Sequence, residues 1–129
     1  MNFNIRSLAP SETAFMQLRD IEGTPQFAED GSAPGIEFYG PGTREYRAAQ
    51  SKYFTKLKKL VDNKKDNDID AVTSVRIEYL AEVTKGLVGF DFDGGARALY
   101  RDIEFSHIFE DGFKFVGEQG NFKKSFETS

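Results

Sequence analysis

Few groups in this sequence could carry chemistry, and each has a structural use that competes with the reactive one. His107 is the single histidine and stands beside Ser106. A hydroxyl nucleophile needs a base within hydrogen-bond reach, and neighbouring residues on a helix point in different directions, so these two cannot form that pair by themselves. Asp66, Asp68 and Asp70 alternate like the start of a calcium loop. That loop needs glycine where Ala71 stands and a bidentate glutamate where Ile77 stands. Asp91, Asp93 and Gly95 fail in the same way at Ala96 and Asp102. Both stretches read as helix caps and turns. Without cysteine there is no thiol nucleophile, thiolate metal site or disulfide, and no glycine loop precedes Lys-Ser or Lys-Thr to cradle a phosphate. The expectation is a protein that is not an enzyme and uses no cofactor and no metal.

Two features point to binding instead. Lys52, Lys56, Lys58, Lys59, Lys64 and Lys65 are interleaved with Tyr53 and Phe54. Lysines neutralise phosphates and aromatic rings stack on bases, so this stretch could contact nucleic acid. The solvated face of an amphipathic helix is the preferred reading, because Tyr53, Phe54 and Leu57 lie where that helix needs its core residues and the net charge of −4 opposes a nucleic-acid partner; an acidic protein partner is the other binding alternative. The second feature is an aromatic surplus. Phe113, Phe115, Phe122 and Phe126 cannot all lie on one stripe of a short terminal helix. Large apolar groups left over after core filling mark an interface, or else a C-terminal segment folded back on the core.

The elements that must position these residues follow from periodicity. Residues 1–12 read as an extended lead-in. A strand is expected over 14–20 and a second at Ile36-Glu37-Phe38-Tyr39, separated by a Gly/Pro/acid-rich loop, giving one antiparallel pair. Thr43 can cap a helix in which Tyr46, Ala49, Tyr53, Leu57 and Leu60 form an apolar stripe widened by Phe54 and Val61. Asn67 or Asp68 can cap a second helix, along which Val72, Val75, Tyr79, Leu80, Val83 and Leu87 face one way. A turn at Asp91 to Gly95 leads to a short helix through Ala96, Leu99, Tyr100 and Ile103. A last helix carries Phe105, Ile108, Phe109, Phe113 and Val116, weakened by Gly112 and Gly117. Residues 123–129 form a polar tail. The fold class is α+β, with about four helices and a small N-terminal antiparallel strand pair.

At 129 residues the chain fits one domain spanning 1–129, because a chain of this size fills one core and not two. The apolar fraction is only 39%, but 13 Phe and 5 Tyr bury large areas from few positions. The first residues lack the basic and apolar segments of a signal peptide. No window approaches the ~18 apolar residues of a membrane span. The expected setting is soluble and intracellular, with no membrane contact.

Ala96-Arg97-Ala98-Leu99-Tyr100, followed some twenty residues on by Gly120-Asn121-Phe122, resembles the C-terminal half of the tail assembly chaperones of long-tailed, siphovirus-like bacteriophages and prophages. Leu18-Arg19-Asp20 with its acidic, glycine-rich loop is similar to the start of that family. Phe38-Tyr39-Gly40 with Tyr46-Arg47-Ala48-Ala49-Gln50 resembles its strand-to-helix junction. Gly95 stands where the family usually has Asn, and Glu118-Gln119-Gly120 where it has Asp-Arg-Ala. The resemblance implies a chaperone acting in the host bacterial cytoplasm and absent from the finished virion. It would hold the long, helical tape measure protein soluble until tail-tube subunits polymerise round it. Self-association, as a homo-oligomer on one long client, would add avidity. On this reading the partner-binding surface is expected around Tyr100, Phe109, Phe113 and Phe122, with Lys56 and Lys59 as electrostatic guides. The competing expectation is a small nucleic-acid-binding regulator using the Lys52–Lys65 helix.

Overall fold

The computed structural model describes residues 3–123. The fold is α+β, as the periodicity implies, with four helices and a three-stranded antiparallel sheet among the described residues. Strand β1 (Thr13–Gln17) pairs with β2 (Gly35–Tyr39), and β2 with β3 (Thr84–Val88), so β2 is central. The helices are α1 (Arg44–Asp62), α2 (Ile69–Val83), α3 (Gly95–Arg101) and α4 (Ser106–Gly117). The expected lead-in contains a 3-10 turn at Ile5–Leu8, and further 3-10 turns occupy Ile103–Phe105 and Gln119–Phe122.

The third strand corrects the expectation of an N-terminal pair alone. Leu87 continues the apolar spacing of α2, yet the helix stops at Val83. Thr84 turns its hydroxyl back onto the Leu80 carbonyl at 2.7 Å, and its backbone is already extended. A β-branched residue followed by Gly86 favours the pleated state over another helical turn. The backbone can then use its hydrogen bonds on β2, with Leu87 opposite Ile36 and Val88 opposite Gly35. The first strand also ends earlier than expected. Asp20 accepts the N–H groups of Glu22 and Thr24 through its carboxylate, which turns the chain, and Arg19 bridges to Pro25.

Capping residues set the helix starts. Thr43 Oγ1 accepts the Tyr46 N–H at 3.2 Å, and Asp68 Oδ1 accepts that of Ala71 at 3.2 Å. Asp68 therefore has a structural use, as expected. Helix α1 ends with Lys64 in the left-handed region at φ 57°, while Lys65 N–H returns to the Leu60 carbonyl and Lys64 N–H to that of Val61. This double closure satisfies carbonyls that the helix end would otherwise leave open. The α1 and α2 helices form an antiparallel hairpin, in which Lys52 meets Glu82 and Tyr53 meets Tyr79.

One face of the sheet packs on α2, α3 and α4. Ile36, Phe38, Leu80, Val83, Leu99, Val116 and Phe122 are all but inaccessible to solvent. Gly112 explains how α4 comes so close. A Cβ there would lie 3.0 Å from Leu80 Cδ2 and 3.2 Å from Phe38 Cζ, so hydrogen is the substituent that lets α4 cross both. The glycine that weakens α4 as an isolated helix thus permits its tertiary packing.

Candidate functional site

Three of the aromatics expected at a binding surface lie inside the core. Tyr100, Phe109 and Phe122 expose no more than 3% of their surface. Tyr100 is buried because its hydroxyl has a partner: it sits 2.7 Å from Thr84 Oγ1. The single Thr84 hydroxyl proton goes to the Leu80 carbonyl, so Tyr100 must donate to Thr84. Burial pushes the Tyr100 phenol above the ordinary tyrosine range. Phe109 stacks between Tyr100 and Phe113. Phe122 packs edge-on to Phe115, and its carbonyl accepts the Ser11 N–H, so the C-terminal 3-10 turn is folded back on the core. Between the two alternatives for the aromatic surplus, these residues take the folded-back one. Phe126 lies outside the described residues.

Phe113 behaves differently. It is half-buried at the rim of an open groove of about 360 Å³. One wall is α1, through Tyr46, Gln50, Tyr53 and Phe54. The other is the C-terminal half of α4, through Phe113 and Gly117, with Tyr79 of α2 as the floor. Tyr53 and Tyr79 stack with centroids 4.7 Å apart, and Phe113 stands edge-on to both at 6.3 and 6.0 Å. Burial, reinforced by the neighbouring Tyr46 phenol, raises the Tyr79 phenol above its ordinary range. The Arg76 guanidinium lies 4.2 Å from the Phe113 ring centroid, within the range of a cation–π contact that fixes the ring.

Phe54 is the residue whose exposure needs explaining: 57% of a large aromatic surface is left in water. The α1 helix carries three stripes. The core stripe runs through Tyr46 and Ala49. Phe54, Lys58 and Val61, spaced four and three apart, form the flank on the groove side, and Val61 is also exposed. Lys52, Lys56 and Lys59, with the same spacing, form the opposite flank, where Lys52 is held 3.5 Å from Glu82. Lys56 and Lys59 are therefore exposed as expected, but on the side of α1 away from the groove. The sequence signal for this site was present in the width of the α1 stripe. Phe54 and Val61 fall outside the arc that one partner helix can cover.

The remaining candidates have structural surroundings. His107 is half-buried, with Nε2 3.2 Å from the Arg19 carbonyl. Among the described residues no group of three or more His, Asp or Glu could hold a metal ion, and no described helix is long and apolar enough to cross a membrane. No protein-family model, curated protein or solved structure matches the chain.

Proposed function

We propose that this protein is a non-enzymatic tail assembly chaperone that seats one amphipathic helix of the phage tape measure protein in the groove between α1 and α4. The observation that carries the reading is the exposed Phe54 beside half-buried Phe113 over a tyrosine floor. An open trough with aromatic walls suits an apolar stripe at i, i+3 and i+4 spacing. The family resemblance supplies the identity of the client, and the high charge of the rest of the surface would keep the complex in solution. Tail-tube subunits are the next partners in this reading, and the setting is the host bacterial cytoplasm.

The test is co-expression with the tape measure protein encoded alongside, followed by measurement of the complex. Phe54→Ser and Phe113→Ser each remove a wall of the groove. A central aromatic anchor is worth ~2 kcal/mol or more, so binding should fall by roughly thirtyfold or greater. Because Phe54 is exposed, its variant keeps its fold. Unchanged binding by a folded Phe54→Ser protein would remove the groove from the reading.

Exposed Lys56 and Lys59 support a second reading, a nucleic-acid-binding regulator using the Lys52–Lys65 stretch. It requires DNA or RNA binding that falls steeply with salt and disappears in Lys56→Gln/Lys59→Gln. No gel shift at low salt would dismiss it.

A further inference from the structure

The two edges of the sheet are defended unequally. Strand β3 carries exposed Lys85, paired with Glu37 at 3.4 Å, has Gly86 at its centre, is irregular in its register with β2 and lies beside α3. Charge, irregularity and a covering helix are the ordinary means of keeping an edge from recruiting another strand. Strand β1, Thr13-Ala14-Phe15-Met16-Gln17, has no charge, no proline and no break in register with β2.

Its hydrogen-bonding phase can be read from its ends. Gly40 N–H donates to the Glu12 carbonyl and Leu18 N–H to the Pro34 carbonyl. In an antiparallel ladder this places the backbone groups of even-numbered residues toward β2 and those of Thr13, Phe15 and Gln17 away from it. Ser11, in the same phase, turns its N–H outward to the Phe122 carbonyl. Beyond that contact the outer backbone groups of Phe15 and Gln17 have no backbone partner among the described residues. The Phe15 ring lies across Gly35, where any Cβ would overlap it, and remains 42% exposed. A cleft of about 620 Å³ runs beside this edge, bounded across from β1 by Asp111, Lys114, Phe115 and Glu118 of α4 and the following turn.

We infer that β1 is a self-association edge: two copies pair antiparallel through it about a two-fold axis at Phe15, joining two three-stranded sheets into one of six. The outward-facing residues sit symmetrically about Phe15, so Phe15 pairs with itself and Thr13 with Gln17 of the second copy; Phe15 and Gln17 present both an N–H and a C=O, while the Thr13 carbonyl already accepts the Ser11 hydroxyl at 2.7 Å and offers only its second lone pair. Charge also favours a second copy. Although the whole chain carries −4, the surround of this edge is balanced, with Arg19 and Lys114 against Asp111 and Glu118. Two such surfaces meet without net repulsion, and each base can face the other copy's acid. This inference is independent of the proposed client.

The chain has no cysteine, so a single introduced one reports contact directly. Opposed residues of a hydrogen-bonded antiparallel pair have Cα atoms about 5.5 Å apart, within disulfide range. Phe15→Cys should form a covalent dimer under mild oxidation, whereas Val88→Cys, exposed on the other edge strand, should not. In sedimentation, wild type should approach twice the monomer mass. Gln17→Pro, which deletes an outward N–H and spares the ladder to β2, should return it to monomer with unchanged circular dichroism. A wild-type monomer at ~100 μM overturns the inference, as does equal cross-linking at Phe15→Cys and Val88→Cys. Should Gln17→Pro fail to fold, the cross-linking comparison decides alone. A monomer whose β1 amides become protected only with the tape measure protein would assign the edge to the client instead.

Discussion

Replacing Phe122 by alanine distinguishes a core residue from an interface residue more sharply than any other change. The ring is fully buried, lies edge-on to Phe115 with centroids 6.0 Å apart, and touches the site above Gly40 where a Cβ would be 3.0 Å from Cδ1. Truncating a buried phenylalanine removes its transfer free energy and leaves a cavity, together about 3–5 kcal/mol. The backbone carbonyl of Phe122, which ties the C-terminal turn to Ser11 at the head of β1, is retained in the alanine variant, so the loss reports on the ring itself. Against a total stability of about 5–15 kcal/mol the loss is large. With a urea slope of about 1–3 kcal/mol per molar, the midpoint should fall by more than about 1 M at unchanged slope. Phe54→Ala is the matched control: the same atoms leave a 57% exposed site, and stability should move by no more than about 0.5 kcal/mol. Urea titrations followed by circular dichroism measure both. If Phe122→Ala lowers the midpoint no further than Phe54→Ala, Phe122 does not belong to the core and the assignment of the aromatic surplus is wrong.

Other expectations rest on single groups. Thr84→Val keeps shape but leaves the buried Tyr100 hydroxyl without its acceptor, so unfolding titrations should show a loss of about 1–3 kcal/mol. Gly112→Val forces branched carbon against Leu80 and Phe38, and should destabilise by at least ~1–3 kcal/mol despite valine's better helix propensity. Lys64→Gly relieves a left-handed residue that costs ~1–2 kcal/mol, partly offset by the flexibility glycine adds to the unfolded chain; a net gain of about 0.5–1 kcal/mol should appear in the melting curve. The Tyr79 and Tyr100 phenols have raised folded-state pKa values, so the neutral form is the one the fold favours. The stability they confer is complete below the unfolded value of about 10 and is lost as pH rises from there toward the folded values. Denaturation midpoints measured from pH 9 upward should therefore fall, and less steeply in Tyr79→Phe.

Local rules made most of the fold legible. The caps at Thr43 and Asp68, the α1 stripe and the strand at Ile36 to Tyr39 need only neighbours in sequence to be recognised, and all appear as expected. The misses are where a distant partner decided. Thr84 to Val88 became strand because β2 offered it a ladder, an outcome α2's own periodicity could not encode. Gly112 looked like a helix breaker because the closeness of Leu80 and Phe38, about thirty and seventy residues earlier, is invisible to a local window. The same limit governs the binding surface. Counting aromatics correctly implied more than one stripe could hold. It could not say which would be buried, since that depends on α3 supplying Tyr100 to Thr84 and on the last turn laying Phe122 across β1.

What tertiary packing leaves exposed also falls into two separate places, and α4 lies between them. Phe113 and Gly117 line the groove against α1, while Asp111, Lys114 and Glu118 project toward the cleft beside β1. At 3.6 residues per turn the first pair and the second set occupy different faces of one helix. A dimer through β1 would consequently leave the groove of each copy open, and the two proposed contacts would not compete. A long helical client with repeated apolar stripes could then engage two grooves held at a fixed distance. The second engagement becomes intramolecular, so retention would exceed that of a single groove without any new contact. A shallow, partly polar trough such as this one needs that arrangement more than a deep pocket would. On the proposed reading, one helix laid against Phe54 and Phe113 would form only a weak seat, and weak individual seats would let the client be handed on when tube subunits arrive.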